Sequence, residues 1–193
     1  MLCVVSNRSL CKGPLLPRLE AACRGGAEIL LIREKDLPPA ERLCLCRQAI
    51  QICSRYGTRL VVNGDLDCAR QVGAYGVQLP YAAFLQMERG ALPAELAVGV
   101  SVHSPEEAAR AAAHGADSLL AGHVFATACK KGLAPRGLPF VKQVRERAGD
   151  VPVWAIGGIT AANGAAVLDS GAAVVCVMSS VMEAADAEGT VRA

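Results

Sequence analysis

LAVGVSVHSPEEAARAAAHGADSLLAGH, residues 96–123, holds an apolar run, a helix marked at both ends and a second apolar run. Ser104 stands where a helix N-cap is needed, Pro105 takes the first helical position, where a missing N–H does no harm, and Glu107 follows three residues after the cap. Gly115 marks the end of that helix. The flanking runs, LAVGV (96–100) and DSLLA (117–121), are near-continuous in apolar residues rather than alternating, which is how strands covered on both faces read. Strand, helix and strand in this order predict a parallel crossover unit.

The same grammar recurs outward along the chain. LCVVS (2–6), EILLI (28–32), RLVVN (59–63), GVQL (76–79), VPVWAI (151–156) and AVVCVM (173–178) bring the candidate strands to eight. Between them, PPAERLCLCRQAIQICSRYG (38–57) places Leu43, Cys46, Ile50 and Cys53 at helical spacing. Eight β-α units in 193 residues predict an α/β chain, a compact single-domain (β/α)8 TIM barrel over residues 1–193. A doubly wound sheet is the alternative, disfavoured because no strand leads into a G-x-G-x-x-G turn. Only about fifteen residues follow the eighth run, so the last helix is expected to be short or truncated. A longer natural C-terminus or a partner subunit would then cover that side.

Composition narrows the function classes. Apolar residues make up 52% of the chain, yet no uninterrupted run approaches the roughly 20 residues of a membrane-spanning helix. The N-terminal MLCVVSNRSL lacks the basic lead and small-residue cleavage site of a secretion signal and reads as a first strand. A net charge of +2 and 4% aromatic residues argue against nucleic acid and for a small-molecule partner. Nine cysteines, an odd number, fall largely in apolar or helical patterns, so a reducing cytoplasm is expected. Cys44 and Cys46 make only a weak zinc motif. Asp65 reads as a helix cap, and no acidic cluster for magnesium stands out.

In a barrel the chemistry sits at the C-terminal ends of the strands. The residues that close the runs are Ser6 and Arg8; Arg33, Glu34 and Lys35; Asn63; Gln78; Ser101 and His103; His123; Gly157 and Gly158; and Ser179 and Ser180. Gly157 and Gly158 after the seventh run, with Ser179 and Ser180 opening a last short helix, match the common phosphate site of barrels. Arg33 and Lys35 offer a grip for a carboxylate or phosphate, against the alternative of a surface salt bridge with Glu34. His123 is a candidate general acid or base, and His114 is expected to face solvent. Thr127, Lys130, Lys131 and Arg136 lie in a loop long enough to act as a lid.

These motifs together resemble the superfamily of thiamine phosphate synthase and the TenI-type thiazole tautomerase. The resemblance rests on REK after the second strand, VNG-DLD-AR, the serine of GVSVHS, the lysine-bearing loop after the sixth strand, AIGGI and MSS. The synthase pattern has an Asn-Asp pair after strand three and an acid just after strand four, which hold magnesium for a pyrophosphate substrate. Here the pair is Asn63-Gly64, and VQLPYAAF has no acid. The synthase also tends to carry histidine where this chain has Gln78. With VNG, VQLP, SVHS and GHVF, the chain is identified as the tautomerase branch.

That resemblance implies an isomerase of thiamine biosynthesis, with no metal and no cofactor. It would aromatise a carboxythiazole phosphate tautomer by proton transfer through His123. Gly157, Gly158, Ser179 and Ser180 would hold the phosphate, and either Arg33 and Lys35 or Thr127 and Lys130 would face the carboxylate. Asn63, Ser101 and His103 would line the pocket. A magnesium-dependent thiamine phosphate synthase and a non-catalytic regulatory binder remain as alternatives. A homodimer is the expectation by analogy only.

Overall fold

Every predicted strand is present in the computed structural model, which describes residues 1–88, 94–130 and 132–193. The strands are β1 (Leu2–Val5), β2 (Ile29–Ile32), β3 (Arg59–Asn63), β4 (Gly76–Pro80), β5 (Ala97–Val102), β6 (Ser118–Gly122), β7 (Val153–Ile156) and β8 (Val174–Val177). They follow one another in sequence order around a closed barrel. The helices are α1 (Leu15–Arg24), α2 (Pro39–Tyr56), α3 (Leu66–Val72), α4 (Tyr81–Leu85), α5 (Pro105–Ala113), α6 (Gly137–Arg147), α7 (Gly164–Asp169), α8 (Ser179–Met182) and α9 (Ala187–Arg192). The chain divides into two compact units, one of residues 2–77 and 177–193, the other of residue 1 and residues 78–176.

In the first unit, β1 pairs in parallel with β2 (Val4 opposite Leu30) and β2 with β3 (Leu31 opposite Val61). All four residues of β2 are buried, as its unbroken apolar run requires. On α2 the buried stripe is Cys46, Ala49, Ile52 and Cys53, rotated from the predicted one, so that Leu43 and Ile50 are only partly covered. Burial pushes the Cys46 thiol well above its ordinary value, as expected of a cysteine acting as a small hydrophobe. Asp65 caps α3 as predicted, its carboxylate accepting from the Cys68 N–H at 2.9 Å. It also accepts from Arg42 at 2.6 and 2.9 Å, a partner 23 residues away.

After β8 come two short helices rather than one. The second, α9, lies against the end of α1, where a Cβ on Gly25 would come within 2.7 Å of the Glu188 carbonyl oxygen. Arg24 pairs with Glu188 at the same junction.

In the second unit, β5, β6, β7 and β8 pair in parallel in that order. Ser104 caps α5 as predicted, accepting from the Glu107 N–H at 3.1 Å, and Gly115 follows the helix with φ +97°. His114 differs from its expectation as a solvent-facing side chain. It is half-buried, with Nε2 2.9 Å from the Met87 carbonyl and its ring edge-on to Phe84. Among the described residues no helix is long and apolar enough to cross a membrane.

Candidate active site

In the second unit the site is built on the ends of β5, β6 and β7. His123, the first residue past β6, is buried, and its Nε2 lies 3.4 Å from the Leu133 carbonyl. The long loop therefore folds back over the imidazole. Its descending limb is fastened by the Arg136 N–H to the His123 carbonyl at 3.2 Å and by the Gly137 N–H to the Val124 carbonyl at 2.8 Å. The Arg136 guanidinium reaches the His103 carbonyl at 2.5 Å and lies over the Phe140 ring. Arg136 is thus a fastener between loops. Lys130 ends a short 3-10 turn, Ala128–Lys130, exposed and with no ion pair among the described residues. Thr127 starts that turn, its carbonyl accepting from the Lys130 N–H at 3.1 Å. Lys131 lies outside the described residues.

The two glycines after β7 have a packing reason as well as a chemical one. Gly157 has φ +111°, and a Cβ there would run into His123 Cβ and lie 2.8 Å from His123 Cα. Gly158 has φ +65°, and its Cβ would meet the Ala126 carbonyl at 2.5 Å. Bare backbone at these positions lets the β7 turn lie against the loop that carries the imidazole. Their carbonyls are engaged, Gly157 by the Phe125 N–H and Gly158 by the Asn163 side-chain amide.

Ser101 on β5 is held by Gln78, whose buried amide sits 3.0 Å from the serine hydroxyl. In the amide orientation that satisfies every neighbour, the Gln78 oxygen also accepts from the Ser101 N–H at 3.0 Å. His103 is exposed, 3.5 Å from Glu107, and belongs to the cap of α5 more than to a pocket.

In the first unit, the ends of β1 and β2 are joined by a carboxylate. Glu34 is buried and accepts from the Ser6 hydroxyl at 2.6 Å, from the Arg8 N–H at 3.1 Å and from the Arg8 guanidinium at 3.3 Å. Arg8 makes a two-pronged contact with Asp36 at 2.6 and 2.7 Å, which holds the Asp36 carboxyl below the usual carboxylate range. Of the alternative reading, a surface salt bridge among Arg33, Glu34 and Lys35, the structure shows Glu34 paired with Arg8 rather than with the adjacent Arg33. Among the described residues the Arg33 guanidinium has no ion pair, and Lys35 is exposed. Asn63 ends β3, half-buried. Ser179 and Ser180 open α8, also half-buried.

Glu34 as a brace and the Leu133 carbonyl over His123 were not anticipated. The only sequence signal for Glu34 is an acid two residues past the end of a fully apolar strand.

The carboxylates do not fit the magnesium set of the synthase pattern. Asn63 is followed by Gly64, Asp65 is engaged by Arg42 and the α3 cap, Glu34 and Asp36 are engaged by Arg8, and β4 ends in Gln78, Leu79 and Pro80. Among the described residues no group of three or more His, Cys, Asp or Glu side chains is placed to hold a metal ion.

The fold is a (β/α)8 barrel, with a loop-covered imidazole and a glycine turn at strand ends of the second unit and Arg33, without an ion pair among the described residues, at a strand end of the first. The chain belongs to the family described as thiamine monophosphate synthase, whose pattern matches residues 2–181. A thiamine-phosphate synthase of Thermus thermophilus is 36% identical over 178 residues, 92% of this chain and 86% of that protein. One from Thermosynechococcus vestitus is 37% identical over 179 residues, and there the chain spans about half, 51%, of the relative's length. The structure of a thiamine phosphate pyrophosphorylase from Pyrococcus furiosus superposes with a TM-score of 0.87 at 32% identity, covering 99% of this chain and 91% of that one.

These relatives correct the expectation of an isomerase. Proteins 36–37% identical over 92% of the chain are named as synthases, which are transferases. The departures at Gly64 and Gln78 are real, but they do not outweigh a match of that length.

Proposed function

We propose that the chain is a transferase forming thiamine phosphate. The observation that carries this reading is the similarity over nine-tenths of the chain to proteins named thiamine-phosphate synthase. Thiamine phosphate is a pyrimidine joined through a methylene to the ring nitrogen of a thiazole that bears a phosphate. Building it from two halves requires the nitrogen lone pair to form a C–N bond while the methylene C–O bond to pyrophosphate breaks, the pyrophosphate leaving with the bonding pair.

The chain's own groups suit such a reaction. Arg33 and Lys130 are cations with no carboxylate against them among the described residues, and each can take up charge that grows on a leaving pyrophosphate. The N–H groups of Gly157 and Gly158, on the β7 turn, are suited to a substrate phosphate. Ser179 and Ser180, which follow β8, are further phosphate-binding candidates. Ser101, fixed by Gln78, and Asn63, Lys35 and Thr127 are further candidates for substrate contact. Bond formation at a ring nitrogen needs no proton abstraction, so His123 acts here as a positioning group, its ring held beneath the Leu133 carbonyl.

The test is to supply the pyrimidine pyrophosphate and the thiazole phosphate and to measure thiamine phosphate by fluorescence after oxidation, with and without added magnesium. Product above the enzyme-free blank supports the reading. None under either condition overturns it.

A further inference from the structure

The hydrogen bonds at the ends of β1 and β2 form a chain that leads to Arg33. Ser6 Oγ accepts from the Arg33 backbone N–H at 2.9 Å while its own hydroxyl donates to Glu34 at 2.6 Å. Both Glu34 oxygens accept from the Arg8 N–H at 3.1 Å, and one also accepts from the Arg8 guanidinium. The Glu34 side chain is 2% exposed, so its charge is kept only by these partners. The arrangement sorts two arginines at neighbouring strand ends. Arg8 is closed off by Glu34 and Asp36, whereas Arg33, whose backbone is gripped by Ser6, keeps a guanidinium without a carboxylate among the described residues.

From this we infer that Glu34, acting through Ser6, is a positioning residue that fixes Arg33 for a pyrophosphate-like anion and keeps Arg8 away from it. The inference rests on the transferase reading only for the identity of the anion. Had the carboxylate paired with Arg33, the cation nearest the end of β2 would be neutralised; by engaging Arg8 instead, Glu34 leaves Arg33 its charge.

The test is the affinity of inorganic pyrophosphate, measured by calorimetry, for wild type, Ser6→Ala, Glu34→Gln, Arg33→Met and the Ser6→Ala/Arg33→Met double variant. Thermal unfolding of each shows that it is folded. Ser6→Ala cuts the link to Arg33 without touching Arg8, and is expected to weaken pyrophosphate binding roughly tenfold, the size of one hydrogen bond. In the Arg33→Met background the same substitution is expected to change nothing further, since its effect passes through Arg33. A purely structural role would give an equal loss in both backgrounds, and that result overturns the inference, as does unchanged affinity in Ser6→Ala. Should Glu34→Gln fail to fold, the serine cycle alone decides. Because the readout is binding, absence of thiamine phosphate formation with intact coupling refutes the transferase reading and not this one. Product formation without coupling refutes this one alone.

Discussion

Gly157→Ala is expected to be among the most damaging single-methyl additions in the chain. The glycine has φ +111°, a region that an L side chain rarely adopts, and holding alanine there costs roughly 1–3 kcal/mol. The new methyl would run into His123 Cβ and stand 2.8 Å from His123 Cα and 3.1 Å from the Val124 nitrogen. Two of these are backbone atoms, and Val124 is itself tied by its N–H to the Ile156 carbonyl at 3.0 Å, so relief requires moving the strand end. Overpacking of that kind adds about 1–3 kcal/mol. The sum, about 2–6 kcal/mol, corresponds to a fall in Tm of roughly 5–20 °C for a domain of this size. Gly164→Ala is the control. Gly164 opens α7 with nothing within 4 Å of its Cβ position, so alanine there is expected to stabilise by about 0.5–1 kcal/mol. The assay is calorimetric unfolding of both variants beside wild type. If Gly157→Ala unfolds within about 1 °C of wild type, the close approach of the β7 turn to His123 is wrong, and with it the packing account of both glycines.

Two further expectations concern charge. Burial alone would raise the Asp65 carboxyl, but the Cys68 N–H and Arg42 outweigh it and hold the group below its ordinary value. Its folded pKa is therefore depressed, so its contribution is complete above about pH 4, the unfolded carboxylate value, and disappears as pH falls through the folded one. Arg42→Leu should cost roughly 1–2 kcal/mol at pH 7 and flatten the acid-side loss of Tm between pH 4 and 3; equal acid-side slopes in both proteins would show that Asp65 is not held by Arg42. Lys130→Ala, at an exposed position without an ion pair among the described residues, should leave Tm within about 1 °C while raising KM for the pyrophosphate ester roughly tenfold. Steady-state kinetics with an unchanged KM would remove Lys130 from the site.

Features whose cause lies within a few residues were legible in the sequence. Strands of a closed parallel barrel are covered on both faces, so they read as unbroken apolar runs, and all eight were visible within two residues of their ends. The Ser104 and Asp65 caps were visible too, because a cap acts on an N–H three residues ahead. The functional branch was harder. Gly64 and Gln78 were read as marks of an isomerase, but two local departures say less than 36% identity across 92% of the chain.

The alternation of buried strand and capped helix, and hence the barrel, was written into neighbouring residues, since hydrophobic periodicity and cap chemistry act locally. The partners were set by how distant segments came together on folding. Strand register set Glu34 on Arg8, 26 residues away, rather than on adjacent Arg33, which left that arginine its charge. The pairing of β6 with β7 pressed Gly157 against His123, 34 positions apart, and packed two glycines that could have been a simple turn against the backbone of the loop that carries His123. Burial and charge pairing depend on what arrives from elsewhere in the chain, and no window of neighbouring residues contains that information.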